Sequence, residues 1–186
     1  MKFLCSIKNW IVFLGLNLST CICFAQADIE LKGYVVTNEN DTIRGEVFDM
    51  QLKTTKGVIR VEYGLEEKNF KFKDVKAYKL GREVYLKRKH TSFSTKEGSF
   101  MQVMSSGDVI LYRLDYKDAS SQAEDQMQHD YYIEKRGGDL VRVDRSDFTN
   151  SILPFISDKP SIKQKVETHE WEYNDLALIV NTYNRS

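Results

Sequence analysis

Hydrophobic and polar positions alternate along residues 29–143 in short runs rich in Val, Ile, Tyr and Phe, separated by clusters of Gly, Asn, Asp and Ser. Alternation with a period of two is typical of strands with one buried face, and turn clusters about every 8–12 residues are typical of antiparallel sheets. The pattern therefore predicts an antiparallel β-domain over residues 28–145. The predicted strands are residues 29–37, 42–48, 58–63, the segment around Phe70 and Phe72, and residues 75–80, 83–87, 99–104, 108–116, 131–134 and 140–143.

After Val143 the apolar positions take the spacing of helices, which predicts a helical segment of the same domain over residues 146–186. Pro154 is expected to kink or end the first helix, and Pro160 suits the first turn of the second. The third helix carries an apolar stripe: Tyr173, Leu176, Ala177, Val180 and Tyr183. Such a stripe normally packs on a sheet, and the alternative is a face that binds a partner.

Together these patterns predict an α+β fold, a predominantly antiparallel sheet with short C-terminal helices packed on it. The sheet is expected to be a sandwich or a partly open barrel, and its strand order does not follow from the sequence.

The first 27 residues have the layout of a cleavable signal peptide. Lys2 and Lys8 give a positive start, an apolar run follows at residues 10–18, and small residues permit cleavage after Ala25 or Ala27. The run is too short for a transmembrane helix, which needs about 20 apolar residues. We therefore expect an exported protein, periplasmic or associated with the cell envelope, that has no transmembrane helix once the signal is removed.

All three cysteines, Cys5, Cys21 and Cys23, lie in the predicted signal peptide. A loose lipobox that ends at Cys21 gives a less favoured alternative, a lipoprotein. The remaining 159 residues have no cysteine for a disulfide or a metal thiolate, and they suffice for one domain. Without the signal, 25 basic residues face 27 acidic ones, a net charge of −2, so we expect no nucleic-acid partner.

No catalytic, metal-binding or cofactor-binding motif is recognisable, and we predict no catalytic residue, metal site or cofactor. His90, His129 and His169 have no partners at metal-ligand spacing, which favours structural or solvated roles. A Ser–His pair that is assembled only in the folded chain remains open.

Tyrosine is frequent in the predicted strands, and tyrosine lines carbohydrate and peptide grooves as well as ordinary sheet surfaces. We place a tentative interaction surface on strand tyrosines and on the helical stripe: Tyr112, Tyr116, Tyr131, Leu176, Val180 and Tyr183. Residues 117–129 are polar, with almost no bulky apolar side chain, and are predicted to form an exposed loop. This loop is either a binding loop or a tolerated surface insertion.

Five short motifs resemble a group of uncharacterised exported proteins of Bacteroidota. They are G-Y-V-V at residues 33–36, N-D-T-I-R-G at 40–45, G-D-V-I-L-Y at 107–112, Y-Y-I-E-K at 131–135 and Y-N at 183–184. The resemblance implies an envelope location and a β-then-α layout, and it implies no activity and no site residue.

These observations favour a non-enzymatic binding or interaction module of a Gram-negative envelope, whose partner is an envelope protein or a glycan. One alternative is a hydrolase of envelope glycans or peptides, which requires a histidine in a cleft beside Asp, Glu or Ser. A second alternative is a structural subunit that docks through the C-terminal helix. Docking requires an exposed apolar patch near Leu176, Val180 and Tyr183.

Overall fold

The computed structural model describes residues 32–50, 58–90, 98–117 and 127–186. The predicted signal peptide and most of the predicted polar loop lie outside the described residues. The described strands are β1 (Lys32–Thr37), β2 (Thr42–Met50), β3 (Val58–Tyr63), β4 (Glu66–Lys71), β5 (Val75–Leu80), β6 (Glu83–Arg88), β7 (Ser99–Ser105), β8 (Val109–Lys117), β9 (Met127–Lys135) and β10 (Val141–Arg142). The described helices are α1 (Phe148–Ile156), α2 (Pro160–Glu167) and α3 (Leu176–Arg185), with 3₁₀ turns at Phe72–Asp74 and Tyr173–Asp175.

The strands form one antiparallel sheet in the spatial order β10-β9-β8-β7-β6-β5-β1-β2-β3-β4. After β4 the chain returns through Phe72–Asp74 to pair β5 with the free side of β1. In a flat sheet β4 and β5 would lie four strand spacings, or about 19 Å, apart. Four residue steps span at most about 14 Å, so the sheet must curl to bring β4 towards β5.

Two glycines permit close approach of the strands within this curl. Gly33 and Gly45 are cross-strand partners on β1 and β2. A Cβ atom on Gly33 would lie 2.0 Å from the carbonyl oxygen of Lys79, and one on Gly45 would lie 2.2 Å from that of Glu62. Both motifs of the Bacteroidota resemblance that contain these glycines therefore have a structural explanation.

The curled half of the sheet encloses an apolar core. Its buried members come from six strands and the first 3₁₀ turn: Val35, Val47, Ile59, Val61, Phe70, Phe72, Val75, Tyr78 and Phe100. Phe72 and Phe100 meet edge to face, with ring centroids 4.8 Å apart. Burial of this set supplies hydrophobic stabilisation of the curl.

The three helices cover the same face of the sheet further along, over β8 and β9. Their core contains Val109, Leu111, Ile133, Val143, Ile152, Phe155, Ile156, Ile162, Val166, Leu176, Ile179, Val180 and Tyr183. Leu176, Val180 and Tyr183 are at most 5% exposed, so the stripe on α3 packs on the sheet. The patch that docking through this stripe would require is not on the surface, which corrects that alternative.

The side chain of Asn184 ties α3 to the start of β8. Its Oδ1 accepts a hydrogen bond from the Val109 amide at 3.0 Å, and its Nδ2 donates to the Val109 carbonyl at 2.7 Å. The amide group therefore satisfies both backbone groups of one strand residue, as a neighbouring strand would. Gly107 lies next to this amide group: a Cβ atom on Gly107 would lie 2.4 Å from Asn184 Cγ. We call this arrangement the Asn184 clasp.

The opposite face of β7, β8 and β9 carries a third apolar cluster. Met101, Tyr112, Leu114 and Tyr132 are buried there, each at most 5% exposed. The central strands are thus buried on both faces, which explains why β8 and β9 contain apolar residues at consecutive positions.

The sheet is open and ends in two unlike edges. β4 reads Glu-Glu-Lys-Asn-Phe-Lys and is exposed at every position except Phe70. β10, at the other end, has only two residues, Val141 and Arg142. No strand of the described residues lies beyond either one.

The predicted α+β fold is confirmed, with one large antiparallel sheet and three short C-terminal helices packed on it. The predicted boundaries of the polar loop were too wide. Lys117 ends β8 and Met127–His129 begin β9, because pairing with β8 extends the hairpin over polar residues. α1 continues two residues past Pro154 before it ends at Ile156. None of the helices in the described part of the chain is long and apolar enough to span a membrane.

Candidate functional site

A cleft of about 470 Å³ opens on the sheet face between the core of the curl and the helical layer. We call it the Tyr85 cleft. Its walls are Tyr78, Tyr85, Phe100, Arg113, Asp115, Met127 and His129. Pockets of roughly 300–1,000 Å³ are typical of small-molecule sites, so a ligand of that size fits this cleft.

Strand register brings these side chains together. A single cross-strand row joins five strands on this face: Tyr78, Tyr85, Gln102, Arg113 and Tyr131. Directly opposed residues of antiparallel strands point to the same face, so the row forms a continuous band. Apolar clusters lie at its two ends, and the polar residues Gln102 and Arg113 lie in the middle.

The aromatic end of the cleft is formed by rings that pack on one another. The rings of Tyr78 and Tyr85 stack with centroids 4.6 Å apart and an interplanar angle of 1°. Phe100 meets Tyr78 edge to face at 5.0 Å. Because Tyr78 covers one face of the Tyr85 ring, the ring presents its opposite face and its edge to the cleft.

The hydroxyl of Tyr85 is held in its protonated form. It donates a hydrogen bond of 2.7 Å to Glu83 Oε2. Burial raises the pKa of Tyr85 well above its ordinary value, and the bond to the Glu83 carboxylate raises this pKa further. Tyr85 therefore acts at neutral pH as an aromatic surface and as a hydrogen-bond donor, and it is not a base.

Gln102 occupies the centre of the row with an incompletely satisfied amide. The residue is 8% exposed, and its Oε1 atom is buried with no hydrogen-bond partner among the described residues. A buried acceptor without a partner costs about 1–3 kcal/mol of stability. Nε of Arg113, the cross-strand partner of Gln102, also makes no hydrogen bond to any described residue, although it lies 3.0 Å from Asp115 Oδ1. Gln102 is not among the residues that line the Tyr85 cleft.

The polar wall combines an ion pair with a histidine. Arg113 binds Asp115 through two contacts, Nε to Oδ1 at 3.0 Å and an Nη to Oδ2 at 3.1 Å. His129 is the cross-strand partner of Asp115 and also lines the cleft. Because the guanidinium and the carboxylate neutralise each other, the wall offers donors and acceptors with little net charge.

A second cleft, of about 490 Å³, shares Met127 and His129 with the first. It is also lined by Tyr116, Asp130 and Arg142. Arg142 donates to the buried Asp130 carboxylate at 2.9 Å. This pair ties β10 to β9, which is a structural role sufficient to explain it.

On the other sheet face, Tyr112 bridges two charged side chains. Its hydroxyl donates to Glu134 Oε1 at 2.7 Å and accepts from the Arg88 guanidinium at 2.7 Å. Arg88 also donates directly to Glu134 Oε1 at 2.9 Å. Burial raises the pKa of Tyr112 to about 12, with opposing effects from Arg88 and Glu134. The closed triad is a cross-strand structural link.

Four of the six residues predicted to form an interaction surface are buried: Tyr112, Leu176, Val180 and Tyr183. They are core residues, since the sheet is covered on both faces at β8. Tyr116 and Tyr131 are half-buried near the clefts. Tyr131 packs edge to face against His129 and Tyr173, at 5.2 and 5.5 Å between ring centroids.

Sequence reasoning missed the residues that form the polar centre, Gln102, Arg113 and Asp115. The available signal was the pair Arg113 and Asp115, which interrupts an otherwise apolar strand at positions that share one face. Nothing in the sequence distinguishes Gln102 as a buried residue, because a single polar residue between Met101 and Val103 is equally expected where a strand faces solvent.

The three histidines occupy different places. His129 lies in the Tyr85 cleft, and His169 is exposed near the start of α1. His90 Nε2 lies 2.8 Å from Ser99 Oγ across the mouth of the β6–β7 hairpin, and neither residue lines the Tyr85 cleft. Burial lowers the pKa of His90, and Asp130 opposes this shift. No group of three or more potential metal-ligating side chains occurs in the described residues.

Comparison of the chain with family models, with curated proteins and with solved structures gives no match.

Proposed function

We propose that the chain is a non-enzymatic binding module, exported to the envelope of a Gram-negative bacterium, that holds its ligand in the Tyr85 cleft. The observation that carries the proposal is the pair of polar cross-strand partners Gln102 and Arg113, which lies between two apolar clusters on one face of the sheet. The signal-like sequence at residues 1–27 supports the export.

Binding accounts for the cleft better than catalysis does. The Tyr85 hydroxyl donates its proton to Glu83, and its raised pKa keeps it protonated, so it does not serve as a base. Asp115 is paired with Arg113. These contacts fix the side chains in place, and fixed side chains reduce the entropy that is lost when a ligand binds.

The test is photocrosslinking in the bacterium that produces the protein. Met127 is 37% exposed and lines the cleft, whereas Leu178 is 51% exposed on α3 and lies outside it. We expect p-benzoylphenylalanine in place of Met127 to give a discrete adduct, identified by mass spectrometry, and the same residue in place of Leu178 to give none. Equal adducts at both positions, or none at Met127, would contradict the proposal.

A hydrolase is the second candidate, because His129 lies opposite Asp115 in the cleft. The same experiment separates the two candidates when Asp115→Asn is added to the Met127 probe. A hydrolase consumes its ligand, so inactivation would increase the adduct. A binding module loses a contact, so we expect the adduct to decrease.

A further inference from the structure

We infer that the open edge of β9 binds an extended peptide, which adds a short strand to the sheet at the point where β10 ends. The site is the second cleft, of about 490 Å³, and not the Tyr85 cleft, so the inference goes beyond the proposed function. It depends on the pairing of β9, on the direction of its backbone groups and on the walls of the cleft.

β9 is longer than the strand that covers it. β8 pairs with all nine residues of β9. On the opposite side, β10 pairs only with Tyr132 and Ile133, and one further hydrogen bond runs from the Val143 amide to the Tyr131 carbonyl. Residues 127–130 therefore have no neighbouring strand on that side within the described part of the chain. This open stretch of β9 is about 13 Å long.

The outward backbone groups of the open stretch belong to Met127 and His129. In an antiparallel sheet, the backbone groups of successive residues point to opposite sides of the strand. The Arg136 amide donates to the Asp108 carbonyl at 2.8 Å, which directs the even-numbered residues of β9 towards β8. The Tyr131 carbonyl accepts its bond on the β10 side, which directs the odd-numbered residues outward. The outward N–H and C=O of His129 have no hydrogen-bond partner among the described residues.

The cleft beside the open stretch has room for a further strand. β10 ends at Arg142, and the next residue, Val143, is 2% exposed in the core beneath the helices. Residues 142–145 and Tyr173 form one wall of the cleft, and β9 with Tyr116 forms the other. A bound peptide would continue the line of β10 along β9, with its side chains alternating between the two faces of the sheet.

The two faces offer different contacts to these alternating side chains. On the helix side lie His129 and the Tyr173 ring, with the Arg145 guanidinium 5.1 Å from the ring centroid. On the other side lies Asp130, which is buried and paired with Arg142 at 2.9 Å. Backbone hydrogen bonds to the open stretch supply affinity, and these two sets of side chains supply selectivity.

A separate peptide fits this edge better than a second copy of the chain does. The outermost strands that a copy could offer are β4, which carries a row of charged side chains, and β10, which has only two residues. The open stretch of a copy lies inside a cleft of its own, where a single strand enters more easily than the edge of another sheet. The occupant is therefore a short extended segment of another polypeptide.

The test uses the full chain, purified after export, and a phage-displayed library of linear heptapeptides. Enriched peptides are synthesised, and their binding is measured by calorimetry and NMR. We expect the His129 amide proton to exchange with water at least about tenfold more slowly when a peptide is bound, because the added strand accepts its hydrogen bond. The Asp130 amide bonds to β8 and should not change.

The decisive variants are His129→Pro and His129→Ala. Both remove the imidazole, and only proline also removes the outward N–H. Proline is tolerated at a strand edge where the N–H makes no bond within the sheet, so the fold should be retained. We expect His129→Pro to bind the peptide about tenfold more weakly than His129→Ala does. If His129→Pro does not fold, Met127→Pro and Met127→Ala repeat the comparison at the first residue of β9.

Several outcomes overturn the inference. The library could yield no binder, or the proline and alanine variants could bind the peptide equally well. The His129 amide could already be protected in the dilute chain without peptide, which would show that a segment of the chain itself covers the edge. Protection that increases with the concentration of the chain would show that a second copy is the occupant.

The two clefts are distinguished by tyrosine signals. Tyr173 lines the second cleft and not the Tyr85 cleft, whereas Tyr85 lines only the latter of these two. We expect the peptide to shift the NMR signals of Tyr173. A peptide that shifts Tyr85 and leaves Tyr173 unchanged would overturn this inference and support the proposed function instead.

Discussion

At the scale of single residues, Tyr112 was expected on an interaction surface, whereas the structure places it in the core. It is fully buried, and its hydroxyl joins Glu134 to Arg88. The triad satisfies groups that would otherwise be costly to bury. Because the protonated hydroxyl is the form that is favoured in the fold, the triad also makes stability depend on pH in a defined direction.

Tyr112→Phe tests this direction. The pKa of Tyr112 is raised to about 12 in the fold, above the ordinary value of 10.0, so its contribution is complete below about pH 10 and is lost as the pH rises towards about 12. We expect Tyr112→Phe to cost about 1–2 kcal/mol at neutral pH, with a deficit relative to the parent that shrinks over that alkaline range.

Urea unfolding of parent and variant in parallel measures the deficit at each pH. Tyr34→Phe, which leaves the triad intact, is the matched control and should follow the parent. A deficit of Tyr112→Phe that stays constant up to about pH 12 would contradict the triad as the source.

At the scale of elements, the Asn184 clasp joins α3 to β8 across a sequence separation of 75 residues. The clasp places a side-chain amide where a strand would pair, and it needs a residue without a Cβ at Gly107. Two motifs of the Bacteroidota resemblance, at residues 107–112 and 183–184, therefore meet in one contact. That contact explains both motifs by structure and requires no chemistry from them.

A double-mutant cycle tests the clasp. Asn184→Ala leaves the Val109 amide and carbonyl without partners and is expected to cost about 1–3 kcal/mol. Gly107→Ala is expected to cost about 1–3 kcal/mol through overpacking. Because the steric conflict needs the Asn184 side chain, the double variant should be more stable than the sum of the two losses predicts. Additive losses in urea unfolding would show that the two residues act separately.

At the scale of the whole molecule, the curl at β1 and β2 divides one sheet into two differently covered regions. The curled half buries its own core, and the other half is covered by helices. The Tyr85 cleft lies between the apolar core of the curled half and the helices that cover the other half. Its existence therefore depends on the strand order and not on any single strand.

Gly45→Ala tests the curl. A Cβ at this position would lie 2.2 Å from the Glu62 carbonyl oxygen, so the strands must separate. We expect a loss of about 1–3 kcal/mol in urea unfolding. Gly138→Ala is the control, since the nearest atom to its Cβ would be at 3.1 Å. A similar loss in both variants would argue against close packing as the cause.

The sequence predicts the strands and helices of this fold because each has a local periodicity, as β3 shows with Ile59 and Val61 inward and Arg60 between them. It does not predict the pairing of β1 with β5, which depends on contacts distant in sequence. The cleft was missed for the same reason: Tyr85, Gln102 and Arg113 become neighbours only through that order. Tyr112 was misplaced because coverage of both faces of β8 is a tertiary property.

The two ends of the sheet have a consequence for how the protein behaves when it is crowded. An open sheet invites copies of itself to add on at an edge and grow into fibrils. At one end, β4 presents Glu66, Glu67, Lys68 and Lys71, so an incoming strand meets a row of charges. At the other end, β10 offers only two residues to pair with. Edge-to-edge polymerisation is therefore disfavoured at both ends, and replacement of the charges on β4 by threonine or valine is expected to promote aggregation.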